Sequence, residues 1–332
     1  MTTPSETLDS DAVRRESWLM HFPVVLFATV MGVAGLSLVW QRGAISLGLP
    51  ALPGRLLAFF SVGLYALLLG IYLLKLLRHP GAVGAEFRHP VRLAFFPALS
   101  IGMLLCATVL VHVYPPVSFW LWSLGALAQL IFTLVVLSLW IGQIHWEPTH
   151  INPAWFIPVV GNVVVPLAGV QHGALEVSWF FFSIGIVFWL VLKSIMFYRF
   201  FFHHPLPERL LPTLAILLAP PAVGFLAYTQ LSYGALDGMA RVLYYTAVFT
   251  FLLLLGQLRR WWRLRFYLSW WAYSFPLAAF TVATGVMAVR LDSPLYLGAA
   301  YTLTGLCSLL VAGLVALTIR AMLRGQVFIA ES

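Results

Sequence analysis

Charge is what this 332-residue sequence has least of. Only 9% of its residues are Asp, Glu, Lys or Arg, while 61% are hydrophobic, and the mean hydropathy is +0.94. A water-soluble body of this size needs a far more polar surface, so the medium around most of the chain is lipid. Cysteine is nearly absent as well. Cys106 and Cys307 both lie in apolar runs, which excludes a disulfide scaffold and leaves no metal-ligand spacing. There is no HExxH, CxxC or GxSxG, and no Gly-rich phosphate loop after a strand pattern, so an enzyme is not expected, nor a cofactor or metal. HWEPTH (145–150) and His203-His204-Pro205 lack further ligands and read as solvated interfacial loops. The formal charge of +8 is spread over loops and bears on topology, not on nucleic acid.

What is present is a succession of apolar segments. Spanning the hydrocarbon takes roughly 20 apolar residues as helix. Ten segments qualify, near 22–40, 55–78, 93–112, 118–142, 153–171, 176–200, 210–230, 238–258, 267–289 and 296–322. Residues 1–17 are polar and the first apolar run is full length, so no cleavable leader is expected. The expected organisation is a short tail (1–20), one ten-helix domain (21–323) and a second short tail (324–332). With the N-terminus in the cytoplasm, 15 of the 19 Lys and Arg fall on the cytoplasmic side and Arg42, Arg55, Arg241 and Arg290 on the other. The positive-inside rule then puts both termini in the cytoplasm of a plasma or bacterial inner membrane.

The odd-numbered segments begin near 22, 93, 153, 210 and 267, a layout of five hairpins that suggests quasi-fivefold symmetry. Pro23, Pro97, Pro158, Pro166, Pro220, Pro221 and Pro276 all fall in odd segments, which are also rich in small residues. The even segments contain no proline and are bulky, as in WFFFSIGIVFWLVL (179–192). Helices that are apolar all round suit lipid, whereas kinked helices suit protein contact or a cavity. The expected fold is therefore an all-α membrane protein in which five odd helices form an inner ring around a pore and five even helices enclose it.

None of the eleven carboxylates falls in the interior of a segment, Glu176 being the end residue of one, which argues against a cation path or a carboxylate proton relay. RRWWRLR (259–265) gives the cytoplasmic mouth Arg259, Arg260, Arg263 and Arg265, which would concentrate anions. Asn162, in PVVGNVVVP (158–166), can donate to a passing anion or bond across helices. With no strong buried cation in view, weak binding of small monovalent anions is favoured.

Some letters are familiar. SWWAYSFPLAAFTVAT (269–284), AEFRHPVRLAFFPA (85–98), PVVGN (158–162) and, more loosely, FPVVLFATVMGVAGLSLVW at the first helix resemble the family of the plant guard-cell slow anion channel and bacterial TehA. The resemblance implies a homotrimer of ten-helix protomers, each with a pore lined by odd helices. It also implies that a phenylalanine of the ninth helix, by motif position Phe275, occludes that pore. Pro276 would kink the helix to aim this ring, with Trp270, Trp271 and Tyr273 holding the kinked segment. Gly32, Ser100, Gly161, Asn162, Ala272 and Ala279 are candidates for the pore lining. The same family includes carriers of malate and other dicarboxylates, sulfite exporters and tellurite-resistance proteins, so a carrier is the alternative function. A non-transporting membrane scaffold is the second alternative.

Overall fold

A backbone in lipid has to satisfy its own hydrogen bonds, so long apolar runs become helices. The computed structural model describes residues 18–142, 146–257 and 264–328, which form helices and turns without a strand. In order these are α1 (Val24–Ser46), α2 (Ala51–Arg78), α3 (Leu93–Leu110), α4 (Pro115–Gly142), α5 (Pro153–Gly169), α6 (Leu175–Phe202), α7 (Glu208–Leu231), α8 (Gly238–Leu255), α9 (Leu268–Leu291) and α10 (Pro294–Leu323). Among the described residues, all but α5 are long and apolar enough to cross a membrane. The largest boundary difference from the sequence expectation is at the end of α1, which runs to Ser46 instead of stopping near residue 40. The 79–92 connection, expected as loop, contains a short helix, Pro80–Arg88.

The odd helices touch one another in a closed circuit, α1 to α3, α5, α7, α9 and back to α1, while each even helix packs on its hairpin partner. Burial follows the same division. In the most apolar stretch of each helix, 67% of α1, α7 and α9 and 89% of α3 is buried, against 28% of α2, α4, α8 and α10 and 33% of α6. The exposed residues of the outer helices are large hydrophobics such as Phe59, Trp120, Phe180 and Phe249. Such a surface is stable only against lipid or another apolar body.

Every odd helix contains 3-10 turns near its N-terminal end: Val24–Leu26, Leu93–Phe95, Pro153–Trp155, Glu208–Leu218 and Leu268–Tyr273. In α3, α7 and α9 an interior proline is the cause, since its ring lacks an N–H and clashes with the carbonyl four residues back; in α1 and α5, Pro23 and Pro153 only start the turn. Pro97 joins the 3-10 turn of α3 to its α-helical part, and Pro212 lies inside the 3-10 run of α7. Pro276 sits in the first turn of the α-helical part of α9, Ser274–Leu291. The break in α9 is thus a change of helix type before Pro276, where a kink within one continuous helix was expected. Outer helices hold prolines too, but only in their first turns: Pro53, Pro115, Pro116 and Pro294. There the missing N–H costs no intrahelical bond, so interior prolines mark α3, α5, α7 and α9, while α1 has only Pro23 immediately before it.

Carbonyls released by these breaks are taken up by polar side chains of neighbouring helices. The Pro158 carbonyl in α5 accepts from Gln129 Nε2 (3.0 Å) and Thr133 Oγ1 (2.8 Å) of α4. The Val165 carbonyl, which keeps its backbone bond from the Gly169 N–H (3.1 Å), takes a second one from Trp122 Nε1 at 3.0 Å. Gln129 and Thr133 are fully buried in an otherwise lipid-facing helix, and this repair explains their presence.

Candidate functional site

Inside the odd-helix circuit lie two chambers. The first, about 690 Å³ including its open end, is on the side where the odd helices begin. The second, about 490 Å³ on the same measure, is on the side where they end. Every lining residue of both belongs to an odd helix. Two residues line both chambers, Phe275 of α9 and Val223 of α7. Phe275 is 8% exposed and stands at the boundary. Facing it, α1 comes close because residue 35 is glycine. A Cβ there would lie 2.9 Å from Ala278 Cβ and 3.4 Å from the Phe275 ring, so any side chain would push α1 and α9 apart.

The two chambers, named inner (the first) and outer (the second) only after the side expected from the charge bias to be cytoplasmic, differ chemically. The inner one is walled by residues such as Met31, Phe95, Val160 and Ala272. Its two polar side chains are both engaged: Ser269 donates to the Arg209 carbonyl (2.6 Å) and Trp271 Nε1 to Thr318 Oγ1 (2.9 Å). The outer chamber is lined by Arg42, Thr108 and Gln230 among apolar residues. The Thr108 hydroxyl is occupied by the Leu104 carbonyl at 2.8 Å.

Of the sequence candidates, Gly161 and Ala272 line the inner chamber, Ala279 the outer and Phe275 both, with Pro276 and Trp271 in the inner wall. Trp271 is buried among Val33, Val311 and Leu314, tying α9 to α1 and α10. Trp270 and Tyr273 meet edge to face, centroids 5.9 Å apart. Gly32, Ser100 and Asn162 line neither chamber. Gly32 is the seat of Ser274 and Trp271, which a Cβ would meet at 2.4 and 2.8 Å. Ser100 has its single hydroxyl proton within reach of both Gln129 Oε1 (2.7 Å) and the Pro97 carbonyl (2.8 Å). Asn162 is fully buried, and its amide donates to Thr133 Oγ1 (2.9 Å) and the Val159 carbonyl (2.6 Å). Those bonds are the repair of α5 described above, and they leave no donor for a passing anion. At the mouth, Arg265 is exposed; Arg259, Arg260 and Arg263 lie outside the described residues.

Three features escaped the sequence. Val223 had no signal among the many valines. Arg42 was counted as loop, because α1 was expected to end before it. Buried charge was also underestimated. Glu86, 4% exposed, accepts from Lys75 Nζ (2.7 Å), the Tyr72 hydroxyl (3.0 Å) and the Val24 N–H (2.8 Å). Lys75, 2% exposed, also donates to the Phe22 carbonyl at 2.7 Å. The pair locks the short connecting helix to the start of α1. Arg199 of α6 is buried as well, donating to the His204 carbonyl. At the HWEPTH stretch, the Glu147 N–H donates to His150 Nδ1 (3.2 Å) and Thr149 to Glu147 (3.2 Å), a self-contained turn.

A family model described as SLAC1, voltage-dependent anion channel, matches residues 21–319. The chain belongs to that family. The S-type anion channel SLAH3 of Arabidopsis thaliana is 28% identical over 323 residues, covering 95% of this chain and 51% of the plant protein. The guard cell S-type anion channel SLAC1 of the same plant is 25% identical over 283 residues, 82% of this chain and 51% of that one. The tellurite resistance protein TehA homolog of Haemophilus influenzae is 27% identical over 262 residues, covering 77% and 78% of the two chains. The chain thus spans about half the length of these two plant relatives and a larger part of the bacterial one.

Proposed function

We propose that the protein is a passive membrane channel for small monovalent anions, chloride or nitrate-like, with Phe275 as its gate. The observation that supports this best is the position of one aromatic ring between two chambers that only the inner helices line. A hydrophobic ring in a narrow tube blocks by sterics and dewetting. The chambers, Phe275 and Val223 lie in one file along the ring of odd helices, so displacing a single side chain would join them. Membership of a family whose relatives are named anion channels agrees with this assignment. Ten spans with both termini in the cytoplasm, Arg259, Arg260, Arg263 and Arg265 drawing anions to the inner mouth, and a homotrimer complete the proposal. The tails 1–20 and 324–332 flank the single unit 21–323.

Current across planar bilayers tests it. Phe275→Ala is expected to raise basal current strongly, with a reversal potential in asymmetric NaCl that moves toward the chloride equilibrium value. Phe275→Leu should be intermediate, because a smaller apolar group fills the constriction only in part. A shift toward sodium, or no gain of current in Phe275→Ala, would falsify the gate. Saturable flux that requires a pH gradient or a C4-dicarboxylate, sulfite or tellurite-type oxyanion would instead identify a carrier. Absence of any flux in wild type and variant would leave the scaffold.

A further inference from the structure

The outer chamber holds a charged side chain that neither the gate nor the fold accounts for. Arg42 lies in the last turns of α1 and lines this chamber together with Phe275. No carboxylate stands within 4.0 Å of its guanidinium among the described residues, where Lys75–Glu86 is the one ion pair. The contrast between these cations is informative. Lys75 is neutralised on the spot by Glu86; Arg42 is only partly exposed and faces a cavity in which nothing balances it. A guanidinium at a half-desolvated site presents five N–H groups that want an acceptor, and its field there is screened far less than at an open surface.

A second donor stands across the chamber. Gln230, near the end of α7, also lines it. Its Oε1 accepts from Gln171 Nε2 at 3.0 Å. That bond occupies the acceptor end of the amide and leaves the NH2 group as the free end. The remaining polar residue, Thr108, has its proton committed to Leu104 and contributes no donor. The rest of the lining, Gly35, Leu38, Ala278, Ala279 and Val282 among it, is apolar.

From these observations we infer that the outer chamber is an anion-binding site, in which Arg42 supplies the charge and the Gln230 amide a second hydrogen bond. One cation and one neutral donor match a single negative charge. A dianion would bring a second charge into apolar walls with nothing to compensate it, which is costly. The ligand class is therefore the small monovalent anion, halide or nitrate. The site would hold an anion directly outside the Phe275 ring, ready to pass when the ring moves. The assignment rests on the chamber being part of the anion path proposed above, but equilibrium binding at Arg42 does not depend on the gate.

Chloride NMR line broadening on the purified protein in detergent tests it, with nitrate as competitor. Wild type should broaden the chloride line, and nitrate should reverse the effect. Arg42→Gln should weaken binding roughly tenfold or more, the scale of one lost hydrogen bond to a charged group. Arg42→Lys should keep part of the affinity, and Gln230→Leu should lower it less than Arg42→Gln does. Arg241→Gln, an exposed site on α8, is the control and should change nothing. If Arg42→Gln does not fold, Arg42→Lys and Gln230→Leu decide the matter: unchanged binding in both overturns the site. Unchanged binding in a folded Arg42→Gln overturns it directly. Succinate competing better than nitrate overturns the monovalent assignment. Binding lost in Arg42→Gln while Phe275→Ala conducts no better than wild type keeps the site and removes the gate. Strong current in Phe275→Ala with wild-type binding in Arg42→Gln does the reverse.

Discussion

The two chambers that meet at Phe275 are made by the same five helices, yet only one of them offers anything to a charge. On the inner side Ser269 and Trp271 have spent their donors on neighbouring helices. On the outer side Arg42 and Gln230 still face the cavity. The difference shows how one ring of helices can combine a barrier with a binding place. An apolar constriction opposes a wetted ion because desolvation has no compensation there. Donors placed just beyond it lower the cost of waiting without lowering the barrier itself. The same division runs through two cations, the buried Lys75 fixed by Glu86 at the inner end of α2 and the partly exposed Arg42, with no carboxylate in reach among the described residues, at the outer end of α1.

The largest expected effect separates two phenylalanines of one helix. Phe275 borders empty space on both sides. Phe280 lines neither chamber and stacks on Phe251, centroids 4.9 Å apart, and on Tyr244 at 6.1 Å. Phe280→Ala should therefore lose about 3–5 kcal/mol of stability, as a truncated core phenylalanine does, and gain no current. Phe275→Ala should lose less than that and gain current. Thermal unfolding in detergent beside bilayer recordings measures both. Equal stability losses with no current from either would make Phe275 ordinary packing, and the boundary between the chambers would have to be sought at Val223.

The next effect probes the neutralised cation. Lys75→Met removes the charge that compensates Glu86 and leaves a buried carboxylate with only the Tyr72 hydroxyl and the Val24 N–H. Breaking one side of a buried ion pair costs about 3–5 kcal/mol. Lys75→Met combined with Glu86→Gln should recover much of that loss, because no orphaned charge remains. A Tm unchanged in Lys75→Met would mean that water reaches the pair. Arg42→Met should show no comparable loss, since Arg42 has no acidic partner to strand.

Most of this architecture was legible in the letters. Apolar length gave the helices, and interior prolines marked four of the five inner ones, because only a helix with protein neighbours can have its freed carbonyls repaired. The repair itself was not legible. Asn162, Ser100 and Gly32 look like lumen residues by type, being small or polar on an inner helix. Each is in fact consumed by a neighbouring helix: Asn162 and Ser100 by Thr133 and Gln129 of α4, Gly32 by the ring of Trp271. Sequence shows which helices are inner but not which way a side chain on them turns. Arg42 was missed for a different reason. Where a helix ends depends on what it packs against, and α1 continues to Ser46 beside α9 and α2. An arginine filed under loops therefore sits in the wall of a chamber.

The smallest effect lies at the outer end of α5. His172 follows that helix, and its Nε2 stands 2.9 Å from the Ser118 hydroxyl, which donates its own proton to the Ala107 carbonyl at 2.7 Å. Ser118 is left with lone pairs for a neutral imidazole N–H, and partial burial holds the His172 pKa below its ordinary 6.5. A lowered pKa means that, between the two values, the unfolded chain binds the proton and the folded chain does not. Stability then falls as pH drops below 6.5, and the loss stops growing once the folded imidazole is itself protonated. The measurement is the Tm difference between wild type and His172→Gln followed from neutral to mildly acid pH. Wild type should lose ground to the variant as pH falls, by only about 1 °C in a chain of this size. A difference that stays constant, or that favours wild type in acid, would mean that the protonated ring finds an acceptor at the outer surface. The outer side would then hold a titratable cation in addition to the permanently charged Arg42, and anion binding there should strengthen in acid.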